Sequence, residues 1–427
     1  MTLHANAILY PIGQGGLYRC RVNCPSHSDS IDFVYDCGSL SKQEFLHSSI
    51  DRLRMELRDK GLDFMVLSHF DADHVNGLDY LLDGSLPVAT VFLPYLTPIQ
   101  RLAIAARSAT ESDSYFEFLV DPAAFLRDRG VGRIVFVLSG DGTGGEEQPF
   151  DDFPPPDAAR VRFDIKFSPG PTMKTISEED SDALTDSETL DDSKKVRVGY
   201  CWQLKFFNYD AFPSDYSVIR DKISAAPALQ DSDELKRWKR FVNAVLDGTG
   251  LKELLPTAII EILKNPAARV KLKEAYKEIK KDHNNVSLTL WHGPAFKKER
   301  ESMCYWGDRT REYQAYRNYL GWWGNSGGTL LTGDLNLQHD FRQFQDHYRG
   351  YLEETAFFQV PHHGSSHSWE PQILGLIGDR AVCFTSSGFS NKYGHPHLDV
   401  IDDILPGHPW AGGHERCEIH FRIIEHL

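Results

Sequence analysis

The stretch Leu67-Ser68-His69-Phe70-Asp71-Ala72-Asp73-His74 decides the fold, because it places four potential metal ligands within six residues. The apolar run at residues 63–67 follows Gly61 and predicts a buried strand that ends at this cluster. Residues 75–82 then carry apolar side chains at helical spacing. The ligands therefore fall at a strand-to-helix turn, where rigid elements on both sides can hold them at fixed positions, as a metal site requires.

A turn or cap residue is the ordinary explanation for one His or Asp near a strand end. Two imidazoles and two carboxylates at a single strand end are harder to explain in that way. The two acids would repel each other unless a cation lay between them. We therefore interpret residues 69–74 as part of a metal site.

Length and charge narrow the classes of function. A chain of 427 residues can bury a sizeable core, either as one large domain or as a domain with an insertion. The net charge of −15 argues against broad nucleic-acid binding through a basic surface. The net charge does not exclude an enzyme that acts on phosphodiesters, because bound cations and a local basic patch can attract an anionic substrate.

The compartment is predicted from the cysteines and from apolar runs. The 7 cysteines are odd in number and scattered, so no disulfide framework is expected. No apolar run approaches the length of about 18 residues that a membrane span needs. The N-terminal residues also lack a signal-type pattern. These features predict a cytoplasmic protein without a membrane-bound segment.

The first 138 residues predict an alternation of strands and helices. Strands are expected at 7–12, 17–23 and 31–38, then a helix up to Gly61, with further strands at 88–93 and 133–138 and a helical stretch between these two. The glycine turn at residues 13–16 could form a hairpin or bind phosphate. No helix follows it, so the hairpin is favoured.

An insertion is predicted in the middle of a single domain that spans residues 1–427. Residues 174–195 are acidic and rich in Ser, which predicts a solvated loop, with binding of a partner protein as the alternative. Helical periodicity follows over residues 231–281. We therefore assign residues 174–283 to an acidic loop and helical insertion.

Basic and aromatic residues alternate over residues 297–323. Arginines interleaved with aromatic rings suit a single-stranded nucleic acid or another phosphate-rich ligand, with Lys297, Arg309 and Arg311 as candidate substrate contacts. An amphipathic helix that packs its aromatic side chains on the core is the competing interpretation, and it is slightly favoured.

Three later strands each lead into potential ligands. One ends in Gly333-Asp334, the next in His362-His363-Gly364-Ser365, and the third is followed by Tyr393-Gly394-His395-Pro396-His397. Each motif alone is weak evidence. Strand ends at one edge of a sheet converge, however, so we expect these residues to face the first cluster across a common cleft.

These motifs together resemble the metallo-β-lactamase superfamily, whose signature is HxHxDH followed by a bridging Asp and late His ligands. The likeness is closer to the metallo-β-lactamase domain of the ComEC-type DNA-uptake proteins. The motifs shared with that domain, in the same order, are GQG at 13–15, DxG at 36–38, LSHxDxDHxxGL at 67–78, NNxSLxL at 284–290, LLTGD at 330–334, VPHHGS at 360–365 and YGHPH at 393–397.

Two departures from the superfamily pattern affect the expected metal. Pro171 stands where many of these hydrolases have a His ligand in a TPGH segment, so the late histidines must replace that ligand. Asp71 stands in place of the second His of HxHxDH. The added carboxylate moves the preference from zinc toward manganese or other hard ions.

The resemblance implies an α/β fold, namely an αββα metallo-β-lactamase sandwich with a helical insertion. It also implies two divalent metal ions, Zn or Mn, that activate a hydroxide. Asp334 would bridge the ions, Asp73 would also orient the hydroxide, and His397 would donate a proton. The expected metal ligands are His69, Asp71, Asp73, His74, Asp334, His362, His363 and His395. Ser365 would contact a phosphate or cap the turn.

The expected function is a metal-dependent phosphodiester hydrolase, a nuclease acting on DNA. By analogy alone, a stand-alone cytoplasmic form suggests antiviral defence through the destruction of foreign DNA. A small-molecule hydrolase of the same fold, acting on a phosphoester, cyclic nucleotide, thioester or lactam, is the alternative. A non-catalytic interaction protein is a third reading, which the full ligand set argues against. The sequence does not identify a partner protein.

Overall fold

The computed structural model describes residues 2–24, 30–58, 60–108, 111–139, 165–166, 186–199, 201–210, 243–245, 261–265, 267–268, 286–295, 302–310, 313–324 and 327–426. The strands, in chain order, are β1 (Thr2–Leu9), β2 (Gly15–Asn23), β3 (Ser30–Ser39), β4 (Phe64–Val66), β5 (Thr90–Pro94), β6 (Arg133–Leu138), β7 (Ile165–Lys166), β8 (Glu188–Asp191), β9 (Lys195–Val198), β10 (Trp202–Asp210), β11 (Val286–Pro294), β12 (Ser302–Thr310), β13 (Tyr313–Gly324), β14 (Gly328–Leu331), β15 (Thr355–Gln359), β16 (Val382–Ser386), β17 (Trp410–Gly413) and β18 (Cys417–His426). The helices are α1 (Gln43–Leu57), α2 (Ala72–Val75), α3 (Leu78–Leu81), α4 (Pro98–Arg107), α5 (Asp113–Val120), α6 (Pro122–Asp128), α7 (Leu337–His347) and α8 (Leu398–Ile404). Short 3₁₀ turns cover His362–Gly364 and Pro371–Gly375.

Two mixed sheets form the centre of the fold. The first has the strand order β13-β12-β18-β1-β2-β3-β4-β5-β6-β8, and the second has the order β17-β16-β15-β14-β11-β10-β9-β7. In the first sheet β3, β4, β5, β6 and β8 run parallel, whereas its other neighbours pair antiparallel. In the second sheet β14, β15, β16 and β17 run parallel. The predicted α/β class is therefore confirmed.

Three apolar clusters show how the layers stack. The central cluster combines side chains of both sheets, such as Phe33 and Ile423 from the first and Leu290 and Phe357 from the second. A second cluster joins helices α1 and α3 to α6 with the outer face of the first sheet. A third joins α7 and α8 with the outer face of the second sheet. The described layers therefore follow the order helix, sheet, sheet, helix.

The N-terminal order of strands and helices is confirmed, although β1 covers residues 2–9 instead of the expected 7–12. The glycine turn joins β1 to β2 as an antiparallel hairpin, and α1 occupies the segment before Gly61. The helical stretch between β5 and β6 consists of α4, α5 and α6. None of the helices that the structure describes has both the length and the apolar character needed to cross a membrane.

The predicted loop at 174–195 is wrong for its last part. Residues 188–191 form β8 in the first sheet, and β9 begins at residue 195 in the second. Leu190, Val196 and Val198 are buried in the central cluster, which explains why this acidic segment is ordered as strands. Most of the predicted helical insertion lies outside the described residues. Its described turns at 243–245 and 261–264 are helical.

The basic aromatic segment at 297–323 does not form the helix that was slightly favoured. Its described residues form the antiparallel hairpin of β12 and β13, and β12 pairs with β18 at the end of the first sheet. Cys304 and Trp306 are buried in the central cluster, whereas Met303 and Tyr305 are only partly buried. This alternation with a period of two is the pattern of a strand that is buried on one face.

Candidate metal centre

Parallel strand ends bring the predicted ligands together. In the first sheet, β3 and β4 run parallel, and β4 leads directly into residues 67–74. In the second sheet, β14 leads to Asp334 and the parallel β15 leads to the His362–Gly364 turn. His74 Nε2 from the first set lies 3.3 Å from Asp334 Oδ1 in the second. The convergence that the sequence predicts is therefore present.

Four buried side chains form a group that could hold a metal ion. Asp73, His74, Asp334 and His363 each offer a ligand atom, and these atoms all lie within 4.8 Å of one another. His363 Nε2 lies 3.4 Å from Asp73 Oδ2 and 3.5 Å from Asp334 Oδ1. The Nε2 atoms of His74 and His363 have no hydrogen-bond partner among the described residues. Buried ring nitrogens that form no hydrogen bond are suited to coordinate a cation.

The other carboxylate oxygen of Asp334 faces a different pair of histidines. Asp334 Oδ2 lies 3.7 Å from His69 Nε2 and 3.6 Å from His362 Nε2. His69 Nε2 also lies 3.6 Å from Asp71 Oδ2. Asp334 thus lies between two sets of potential ligands, one on each of its oxygens.

The electrostatics of this region favour a cation. Four carboxylates are buried close together here, those of Asp36, Asp71, Asp73 and Asp334. Burial alone lowers the pKa of His74, but the charges of Asp36, Asp334 and Asp73 outweigh it and raise this pKa well above its usual value. Burying several negative charges is costly unless positive charge compensates them. A bound divalent ion would supply that compensation.

Asp36 orients His74. Its carboxylate accepts hydrogen bonds from the backbone N–H of Ser68 at 2.7 Å and from the Ser68 hydroxyl at 2.8 Å, and Oδ2 lies 2.8 Å from His74 Nδ1. Asp36 adopts a φ of 61°, which L side chains rarely adopt. The Nδ1–H of His74 therefore donates to Asp36, and Nε2 is directed toward Asp334.

The His-His turn is held in an unusual backbone conformation. His362 and His363 have φ values of 48° and 57°. Consecutive left-handed residues other than glycine are strained, and such strain concentrates at functional sites. His363 Nδ1 donates to the backbone oxygen of Ser386 at 2.6 Å, since a carbonyl oxygen can only accept. This bond directs His363 Nε2 toward the two aspartates.

Asp71, a predicted ligand, has an ionic partner that the sequence did not indicate. Arg107, at the end of α4, contacts Asp71 Oδ1 through Nη2. Burial raises the pKa of Asp71, and the guanidinium of Arg107 opposes that rise. Asp71 is accordingly not part of the four-residue group around Asp73. A lone Arg in a helix gives no sequence signal for a metal centre. Glu111 is a second residue that the sequence did not single out, and burial and the charge of Asp73 raise its pKa.

The two late histidines differ in their surroundings. The ring of His395 lies 5.5 Å from that of His362, and burial lowers the pKa of His395 to about 3. His397 Nδ1 accepts from the backbone N–H of Ser366 at 2.9 Å, which leaves Nε2–H to donate to the backbone oxygen of Tyr393 at 3.1 Å. Both ring nitrogens of His397 therefore form hydrogen bonds to neighbouring loop residues, and these bonds hold the two loops together. That His397 donates a proton stays a prediction.

Two of the four predicted substrate contacts, Ser365 and Arg309, lie within the described residues. Ser365 is buried, and its backbone N–H donates to His362 O at 2.9 Å, which fits the capping alternative. Arg309 lines a separate cavity of about 720 Å³ on the first sheet, together with Arg19, Arg52 and other residues outside the cluster. Lys297, Arg311 and the segment containing Pro171 lie outside the described residues.

The comparisons with known proteins add no family to this geometry. Neither a protein-family model nor a curated protein matches the chain. The chemistry of the site is therefore inferred from its own residues.

Proposed function

We propose that the protein is a metal-dependent phosphodiester hydrolase of metallo-β-lactamase type that acts on DNA. One observation carries the proposal: Asp334 directs Oδ1 toward His74 and His363 and Oδ2 toward His69 and His362. A carboxylate between two histidine pairs is the arrangement that a bridging ligand of two ions needs.

The layer order supports the assignment of the fold. Helices cover the outer faces of two sheets that pack against each other, as expected for an αββα sandwich. The ligand motifs follow strand ends at one edge of that sandwich. The fold alone does not define a reaction, so the site residues must carry the functional argument.

Two sets of residues would hold two ions. Asp73, His74, His363 and Oδ1 of Asp334 form the first set. His69, His362 and Oδ2 of Asp334 form the second, with His395 beside His362. Two divalent ions, when bound, would supply an activated water and would compensate the charge that develops on the attacking and leaving oxygens of a phosphodiester. Imidazole ligands suit Zn, and the surplus of carboxylates suits Mn.

The protein side chains have separate tasks in this proposal. Asp36 and the Ser386 carbonyl orient the imidazoles of His74 and His363, so that little reorganisation is needed when an ion binds. Asp73 orients the attacking water. Arg107, whose side chain is 27% exposed beside the cluster, attracts the phosphate of an incoming strand.

The test is a nuclease assay on protein stripped with a chelator and reloaded with Mn²⁺ or Zn²⁺. Linear double-stranded and single-stranded DNA should be cleaved after reloading, and Asp73→Ala should abolish cleavage. His408→Gln serves as the matched control, because His408 is buried but bonds to the Ala381 and Leu374 carbonyls, away from the cluster.

Three outcomes separate the alternatives. Metal-dependent DNA cleavage that Asp73→Ala removes and His408→Gln retains supports the proposal. Turnover of bis(p-nitrophenyl) phosphate with no cleavage of any nucleic acid would instead indicate a small-molecule hydrolase. No bound metal and no activity after adding metal would leave only a non-catalytic role.

A further inference from the structure

The loop between β16 and α8 adjoins the candidate metal centre and exposes an apolar patch. Of the six large hydrophobic side chains that are exposed in the described residues, three lie between β16 and the start of α8. They are Phe389 at 68%, Tyr393 at 49% and Leu398 at 77% exposure. Single exposed apolar residues are ordinary, but a local concentration beside a polar site indicates a binding surface.

The loop that carries this patch is internally braced. Asn391 Nδ2 donates to the backbone oxygens of Gly388 at 2.6 Å and His395 at 2.8 Å, and Asn391 Oδ1 accepts from the His395 N–H at 2.9 Å. The Phe389 N–H donates to Glu415 at 3.0 Å. The Tyr393 ring is therefore presented by a pre-organised turn, which lowers the entropic cost of binding a ligand.

A column of rings connects this patch to the metal ligands. The ring of Tyr393 lies 5.6 Å from that of His395 with an angle of 23° between their planes. The ring of His395 lies 6.4 Å from that of His363 with an angle of 24°. His363 belongs to the group that could hold a metal ion. The exposed Tyr393 thus stacks on His395, and His395 in turn stacks on His363.

We propose that Tyr393, with Lys392 beside it, is a stacking platform for an unpaired nucleobase next to the bond that is cleaved. This inference rests on the proposed function and defines its substrate class as single-stranded nucleic acid. Lys392 Nζ lies 5.0 Å from the centre of the Tyr393 ring, where an ammonium group can move to an adjacent phosphate.

The chemistry of the patch favours a base over other occupants. A half-exposed flat ring can stack on any base, and such stacking tolerates all sequences. In a duplex both faces of an internal base are covered by its neighbours, so the platform would act on single strands and frayed ends. The flanking cation and the nearby metal cluster both suit a phosphodiester backbone.

The experiment compares Tyr393→Ala and Tyr393→Phe with the unaltered protein on two single-stranded oligonucleotides of equal length. One carries bases and the other is abasic throughout. Tyr393→Ala should raise KM about tenfold on the base-bearing strand and leave the abasic strand unaffected. Tyr393→Phe should behave as the unaltered protein, because it keeps the ring. Leu405→Ala, at another exposed position, is the control.

A second readout separates this inference from the proposed function. Binding of both oligonucleotides is measured by fluorescence anisotropy in the presence of a chelator, so that no cleavage is needed. Tighter binding of the base-bearing strand that Tyr393→Ala removes supports the platform even if no DNA is cut. Equal binding of both strands by all variants overturns it. Binding to vesicles of phosphatidylcholine and phosphatidylserine is measured in parallel. If Tyr393→Ala loses vesicle binding but keeps DNA binding, the platform is also overturned and the patch faces lipid.

Discussion

Asp36 Oδ2 lies 2.8 Å from His74 Nδ1, and this contact determines which nitrogen of His74 faces Asp334. The Asp36 carboxylate is fully buried and is itself fixed by the backbone and hydroxyl of Ser68. A strand end in the first sheet thereby sets the geometry of a ligand that meets the second sheet. The orientation of His74 therefore depends on a residue outside the candidate ligand set.

Asp36→Asn should weaken metal binding without unfolding the protein. The amide keeps the shape but loses the charge that holds the Nδ1–H, and loss of such a support typically lowers metal affinity about 10- to 100-fold. Competition with a chelating dye measures the affinity. Asp192→Asn is the control, because Asp192 is also buried and accepts the Asn208 N–H at 2.9 Å, outside the metal centre. Equal affinity of Asp36→Asn and the unaltered protein would refute this role.

Arg107→Met should impair substrate binding more than metal binding. Removing the guanidinium beside Asp71 makes the centre more negative, so metal affinity should be retained or increase. An anionic DNA strand loses a charged contact, and KM should rise about tenfold, with kcat changed less. Arg107→Lys should restore part of the effect, since it keeps the charge but lacks the fork geometry. A parallel loss of metal affinity in Arg107→Met would mean that Arg107 supports the fold instead.

Gly38→Ala should destabilise the turn that presents the ligands. A Cβ at residue 38 would lie 2.5 Å from the Val75 nitrogen and 2.6 Å from the His74 nitrogen, so the backbone of α2 would have to move. The expected loss is about 1–3 kcal/mol of unfolding free energy. Chemical denaturation measures it, with Gly407→Ala as control because no atom lies within 4 Å of a Cβ there. Similar stability of both variants would contradict the close approach.

His292 should make the protein less stable in acid. Its side chain is fully buried between the sheets, and burial lowers its pKa to about 3 from 6.5. As the pH falls below 6.5, His292 becomes protonated in the unfolded chain, whereas in the folded chain it stays neutral until about pH 3. The folded state therefore loses stability between these two pH values. At ~1.4 kcal/mol per pKa unit the contribution is several kcal/mol.

His292→Gln should therefore flatten the dependence of the unfolding free energy on pH between 6.5 and 4. Denaturation is followed in the presence of a chelator, which separates this effect from metal release. His339→Gln at an exposed position should leave the slope unchanged. A slope in His292→Gln as steep as in the unaltered protein would show that other groups control acid unfolding.

The sequence predicts most of the candidate centre because ligand-type residues follow apolar strands. His69 and Asp334 come soon after the ends of β4 and β14, Asp73 and His74 follow in the first turn after His69, and parallel strand ends meet at one edge. The α/β class follows from the same alternation of strands and helices. Short-range sequence patterns are thus sufficient to predict candidate ligands that lie near strand ends.

The parts that the sequence misplaced depend on long-range contacts. Arg107 reaches Asp71 from a separate helix, and no spacing in the sequence connects the two. The sequence slightly favours a helix over the hairpin of β12 and β13, because the aromatic residues of this segment also fit a helical face. The antiparallel pairing of β12 with β18, which lies about 110 residues further along the chain, stabilises the strand conformation.

The central claim is that Asp334 joins two ion sites, and metal stoichiometry tests it most directly. Elemental analysis of purified protein equilibrated with excess Zn²⁺ or Mn²⁺ and then desalted should give two ions per chain, and Asp334→Asn should retain one or none. Circular dichroism in a chelator establishes that the variant is folded. One ion or none in the unaltered protein, or two ions in folded Asp334→Asn, would contradict the account.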